Sequence, residues 1–284
     1  MHRPIHIFML AARSGFTSLQ AMKSEYKKVV IIAIPLLLSL QHAMAQINES
    51  DTMKLELQIS LTGNYQRGNV ELLTILSRNE FLIRPFPNWA FKTQISSLYT
   101  KFSNTLADNN IFSRNVLYYK PERRLYGYIS AFVSTNYRRK IDFRYFISSG
   151  PAWKPIQNKV IVVKLSAALL YESTLFTDTV FNQQHYNGNE RISVWRSHYY
   201  LGGWVYALNN RLRLNYEFYW QPAFDNSENY RIQAEVGLTY PIWKGLAFNT
   251  VYIYSHENVV VQSIKKDDRL LTFGLSYTVR KDGN

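Results

Sequence analysis

Residues 211–221 read RLRLNYEFYWQ. Leu212, Leu214, Tyr216, Phe218 and Trp220 form one set, and Arg211, Arg213, Asn215, Glu217 and Gln221 form the other. A period of two puts each set on its own side of a sheet. The same alternation recurs outward from this stretch. In 230–240, Tyr230, Ile232, Ala234, Val236, Leu238 and Tyr240 oppose Arg231, Gln233, Glu235, Gly237 and Thr239. In 54–62, Leu55, Leu57, Ile59 and Leu61 oppose Lys54, Glu56, Gln58, Ser60 and Thr62. Near the C-terminus, Leu271, Phe273, Leu275, Tyr277 and Val279 oppose Thr272, Gly274, Ser276 and Thr278. Strands of soluble sheets usually run about 5–6 residues, whereas strands that cross a bilayer need about 9–11. Several of these segments keep their alternation for the longer distance. Their polar faces also carry Arg and Glu, which a dry soluble core does not accept without partners. The apolar sets therefore face lipid and the polar sets line a lumen, which predicts an all-β, antiparallel, up-and-down transmembrane barrel.

The rest of the chain has the same texture. Strands fall near 53–65, 69–84, 89–102, 110–120, 125–138, 141–153, 159–173, 190–206, 211–222, 229–240, 246–256 and 268–280, about 12 in all, an even number as bacterial barrels have. Segments 110–138 and 190–206 alternate poorly, which leaves ten or fourteen strands open. No linker divides 46–284, so one domain is expected there. Short turns rich in Pro and Asn (85–88, 120–123, 154–158, 208–210, 241–245) fit the periplasmic end. The longest connections, about 176–189 and 257–267, fit the outer surface. Trp89, Trp153 and Trp243 sit beside the short turns, and Tyr99, Phe102, Tyr137, Tyr171, Trp220 and Tyr254 near the opposite ends. Two aromatic girdles follow.

Composition agrees. Aromatic residues make up 15% of the chain, with 21 Tyr, and the formal net charge is +13. The basic residues are scattered among apolar ones, so nucleic acid is not an expected partner. There is no cysteine, which excludes disulfides, thiolate metal sites and a lipid-modified N-terminal cysteine. Residues 22–46 read MKSEYKKVVIIAIPLLLSLQHAMAQ: a Lys-bearing start, an apolar core at 29–40 too short to anchor a membrane helix, and Ala43-Met44-Ala45 before Gln46. This is the three-part pattern of a cleaved secretory signal, with cleavage between Ala45 and Gln46. Residues 1–21 precede a good internal start at Met22 and read as a mispredicted extension of the frame.

At the C-terminus, Thr272-x-Gly274-x-x-Tyr277-x-Val279 resembles the signal by which the outer-membrane assembly machinery recognises barrels, although the usual terminal Phe is replaced by the tail 280–284. The mature chain as a whole resembles the YdiY-like family of salt-induced outer membrane proteins, a domain of unknown function. That resemblance rests on Gly68-Asn69, on Asp142-Phe143-Arg144-Tyr145 leading into Ser149-Gly150, on the strand 164–172, and on Gly274-Leu275-Ser276-Tyr277. It implies an outer-membrane barrel of a Gram-negative bacterium, with lipid, lipopolysaccharide and the assembly machinery as partners, and brings no activity with it.

Few residues suggest chemistry. Ser255-His256-Glu257 invites a hydrolase reading, but neighbours on a strand point to opposite faces. His185 and His198 lack companions at metal-ligand spacing. Asp267-Asp268 and Asp108-Asn109-Asn110 lack the spaced oxygen ligands of a calcium loop. No catalytic residue, metal or cofactor is therefore expected. The informative set is the lumen, where Glu56, Arg144, Glu172, Arg213, Glu217, Arg231 and Glu235 are expected to point inward. A selective channel would show a ring of one sign. Mixed signs suit ion pairs between neighbouring strands filling a plugged barrel, and they also suit a narrow pore. A small-solute channel or envelope-maintenance protein, a lipid-modifying barrel enzyme, and a non-conducting surface barrel all stay open.

Overall fold

The computed structural model describes residues 53–68, 71–209 and 211–281. Ala43, Ala45 and Gln46, with the rest of the export signal and the extension before it, lie outside the described residues. Twelve antiparallel strands close into one barrel: β1 (Leu55–Gln66), β2 (Leu72–Ile83), β3 (Trp89–Phe102), β4 (Thr105–Tyr119), β5 (Leu125–Asn136), β6 (Ile141–Gln157), β7 (Ile161–Phe176), β8 (Arg191–Ala207), β9 (Leu212–Pro222), β10 (Tyr230–Trp243), β11 (Leu246–Glu257) and β12 (Asp267–Lys281). Each strand pairs with its sequence neighbours, and β1 pairs with β12 to close the ring. Closure removes every sheet edge, which a bilayer requires because lipid offers no partner for backbone N–H and C=O groups.

The outward faces carry the apolar sets. Ile59, Leu61, Ile129, Leu169, Phe218 and Phe273 each expose 40–58% of their surface on the barrel exterior. Trp89 and Tyr119 lean together at one rim (4.9 Å between ring centroids), and Tyr171 and Trp195 at the other (5.1 Å). The strands hold 11–17 residues, long enough to cross about 30 Å of hydrocarbon when tilted.

Several boundaries differ from the sequence reading, and β6 runs on to Gln157 through most of the turn expected at 154–158. Strand β4 begins at Thr105, not 110, because Ser103 and Asn104 turn the chain in two residues, both with positive φ (45° and 65°). Such turns match strand twist, but without a glycine this one leaves little trace in the sequence. Asp108 therefore lies within β4, buried, and not in an outer loop. Strand β10 runs through Pro241 to Trp243 by way of an irregularity in its pairing with β11, so the turn shrinks to Lys244-Gly245, with Gly245 at φ 85°.

The closing seam is tight. A Cβ on Gly274 would stand 2.0 Å from the Leu61 carbonyl oxygen and 2.5 Å from the Thr62 Cα. Both are backbone atoms of β1, so relief requires the seam to part. Gly274→Val is expected to destabilise the closed barrel by about 1–3 kcal/mol or more, read as a lower temperature for loss of the compact, fast-migrating form on gels. An unchanged transition would show that the seam yields freely.

Candidate functional site: a lumen crossed by ion pairs

Alternation sends the polar set of each strand inward, and closure makes these sets face one another. Glu56 on β1 is fully buried and accepts hydrogen bonds from Arg280 on β12 at 2.6 and 2.7 Å. Lys92 on β3 meets Glu80 on β2 at 3.0 Å. These two pairs join neighbouring strands, as the mixed-charge pattern predicts.

The others do not. Arg78 on β2 forks onto Glu235 on β10. Arg114 on β4 reaches Glu217 on β9 at 3.3 Å and also bonds the Tyr219 hydroxyl and Gln94. Arg144 on β6 makes two 2.8 Å bonds to the two oxygens of Glu257 on β11. In ring order these partners stand four or five strands apart, so the pairs cross the lumen. These three depart from the expected pairing between adjacent strands, which the Glu172 contacts to Arg144 and Arg196 keep. A twelve-strand ring is narrow enough for two long side chains to meet across it, and charged groups in a low-dielectric interior gain most from close, oriented partners.

The Arg144–Glu257 bridge belongs to a wider network towards the outer end. Glu172 on β7 faces Arg231 on β10, Arg196 on β8 at 3.5 Å and Arg144 at 3.8 Å. Arg139, in the turn after β5, reaches Asp268 at 2.7 Å and Glu257 at 3.8 Å, while Arg138 joins Asp268 (2.8 Å) to Asp108 (3.5 Å).

All seven residues expected in the lumen lie there. Glu56, Arg144, Glu172, Glu217, Arg231 and Glu235 are in these pairs. Arg213 stacks over Trp204 at 4.7 Å near the other end, beside Lys164 at 5.0 Å from the same ring. Arg78, Arg114, Arg139 and Arg196 join the network and are not singled out by the sequence, while Glu257 and Asp268 stand out there only for other chemistry. On β2 the signal was blurred, because Leu76 and Leu82 share the inward face with Arg78 and Glu80.

Both ends are narrowed. At the end shared with the C-terminus, Lys154 is fully buried, donates to the Pro121 carbonyl and lies 5.1 Å from the Tyr126 ring. At the opposite end the segments 177–190 and 258–266 fold over the β7–β8 side. Phe181 bridges Val261, and with Tyr186 and Val259 they cover Ile192 and Val194, which point inward from β8. Between the ends lies a cavity of about 660 Å³ whose lining reaches Asn64, Leu72 and Arg138 at the outer strand ends.

The histidines are separated. His198 faces the lumen and contacts Gln221 at 2.6 Å. His185 packs against Tyr186 in the long loop. His256 points outward, 3.0 Å from Asp267, while Ser255 points inward towards Arg139. Ser255 and His256 are therefore on opposite faces of the wall. Asp267 and Asp268 are divided in the same way, the first held by His256 and Tyr254 outside and the second by Arg138 and Arg139 inside.

The assembly-signal residues all lie on β12. Thr272 is buried in the lumen wall, bonded to Thr62 at 3.0 Å, Gly274 is at the seam, and Tyr277 and Val279 are exposed on the exterior.

A closed, twelve-stranded antiparallel barrel with an apolar exterior and a charged lumen has the architecture of bacterial outer-membrane barrels. The chain belongs to the family described as "Protein of unknown function, DUF481", which matches residues 59–279. Among solved structures it is similar to the NanC porin (13% identity, 78% of this chain and 98% of that one, TM-score 0.45). It is also similar to the translocator domain of the autotransporter NalP from Neisseria meningitidis (11%, 92% and 97%, TM-score 0.42) and to the KdgM porin (11%, 78% and 98%, TM-score 0.36). No curated protein matches the chain.

Proposed function

We propose that this protein is exported to the outer membrane of a Gram-negative bacterium and acts there as a narrow conduit for small solutes, held closed at rest by its lumen ion pairs. The observation that carries this reading is the cavity of about 660 Å³ interrupted by bridges that cross from wall to wall. A purely structural barrel needs no such space, and an open porin would not span its bore with salt bridges. Side-chain bridges can break and reform without disturbing the backbone ladder, so opening costs no strand pairing. The exterior apolar belt takes lipid and lipopolysaccharide as its surroundings, and the β12 motif presents the protein to the assembly machinery. The reading is non-enzymatic: His256 has a carboxylate partner, but the adjacent Ser255 is turned to the other face.

The test is single-channel recording of the refolded barrel in planar bilayers. Small, intermittent steps are expected. Complete silence, both for the native chain and for variants lacking the Arg144–Glu257 bridge, would refute the conduit. Recovery of the protein from the soluble periplasm would refute the location.

A further inference from the structure

Inward positions of a membrane barrel are normally polar, yet three neighbouring strands place phenylalanine there. Phe112 on β4, Phe132 on β5 and Phe146 on β6 stack in a row, with ring centroids 5.5 and 4.4 Å apart and planes 26° and 11° from parallel. All three line the cavity and none is buried. Core packing would cover such rings. Here the rings border open space, where apolar surface is kept at a cost. His198, Tyr200 and Tyr219 line the same cavity from β8 and β9.

Cations flank the phenylalanine strip. The Arg231 guanidinium lies 6.0 Å from the Phe146 ring centroid, and Arg114 is the direct cross-strand partner of Phe132. Arg114 meets Glu217 through one carboxylate oxygen, at 3.3 and 3.5 Å, in contrast to the two 2.8 Å bonds of the Arg144–Glu257 fork. Its carboxylate contact is thus looser than that of Arg144, with Gln94 and the Tyr219 hydroxyl holding the guanidinium in place. Along the cavity eight inward-facing Arg and Lys stand against five lining Asp and Glu, with Glu80 and Glu172 behind Lys92 and Arg231, and Arg78 Nε and Arg139 Nη1 are buried without a hydrogen-bond partner among the described residues. The volume lies within the range of about 300–1,000 Å³ typical of small-molecule sites.

We propose that the lumen contains a binding site for a planar aromatic carboxylate, with its ring laid on the Phe112–Phe132–Phe146 wall and its carboxylate directed to Arg114. Stacked rings give an aromatic guest offset faces to join. They offer no hydrogen bonds to the hydroxyls of a sugar, which sets the aromatic acid above a sugar acid of the same charge. The proposal deepens the conduit reading by naming the solute class, and equilibrium binding tests it without requiring current.

The experiment is calorimetric titration of the folded barrel in detergent with benzoate, acetate and glucuronate. Benzoate is expected to bind about tenfold more tightly than acetate, with glucuronate near acetate. Phe132→Leu, which keeps bulk and removes the π face, is expected to weaken benzoate about three- to tenfold, the worth of one aromatic pair, and to leave acetate unchanged. Phe112→Leu serves the same purpose should Phe132→Leu fail to fold. Equal affinity for benzoate and acetate, tighter binding of glucuronate, or benzoate binding indifferent to the folded Leu variant would each overturn the site. A barrel that binds benzoate selectively yet never conducts would keep the site and remove the conduit. One that conducts without preferring benzoate would do the reverse.

Discussion

Glu172→Gln is expected to destabilise the folded barrel more than any other single substitution in the lumen, by about 3–5 kcal/mol, the cost of breaking a buried pair by deleting one partner. One carboxylate here serves three guanidiniums, those of Arg231, Arg196 and Arg144, and its side chain is only 4% exposed. Arg144 keeps Glu257. Arg196 keeps its bonds to the Gln221 and Asn229 carbonyls, and Arg231 keeps Gln221. The hydrogen bonds therefore largely survive, and what is lost is the compensating charge among three buried cations. Urea titration of the folded form in detergent or bilayers, followed by gel mobility or tryptophan emission, measures the change. Glu172→Asp should recover part of it. A loss within about 0.5 kcal/mol, the scale of ordinary surface changes, would mean that water, not Glu172, balances the cluster.

The double substitution Arg144→Ser with Glu257→Ser is expected to enlarge the single-channel step severalfold and lengthen the open time. Both partners are removed together, so no lone charge is stranded opposite a missing one, and the barrel should tolerate this better than either single change. The bridge joins β6 to β11 across the outer half of the lumen with two 2.8 Å bonds. Two serines leave a gap where two long side chains met. An unchanged conductance would place the limiting constriction at the other end, where Lys154 packs between Pro121 and Tyr126. The variant Lys154→Ala would then be the one that opens the path.

The parts of the barrel most legible in sequence are those where lipid and lumen impose opposite demands. Strands β9, β10 and β12 show one face of Leu, Phe, Tyr and Val and one of Arg, Glu, Gln and Thr, so their extent and facing can be read from alternation alone. The segments that alternate poorly in sequence have a common cause in the structure: their inward faces are apolar too. Strands β4 and β5 turn Phe112, Val116, Tyr126 and Phe132 into the lumen to build the aromatic wall, and β8 turns Ile192 and Val194 inward beneath the folded outer loops. An apolar residue on both faces removes the period-two contrast. These least readable strands carry the aromatic wall on which the proposed solute site rests.

By itself the sequence determined the class of fold, the side of the wall on which most residues stand, and the mixed charge of the interior. These follow from local alternation and strand length, which neighbouring residues suffice to specify. Only the tertiary structure decided which charges meet. Arg144 finds Glu257 at a separation of 113 residues and Arg78 finds Glu235 at 157, because ring closure and the stagger between strands set the height of each side chain above its neighbours. Alternation assigns a residue to the lumen, but no local pattern says what stands at the same height on the far wall. The bridges and the phenylalanine row are both properties of that closed geometry.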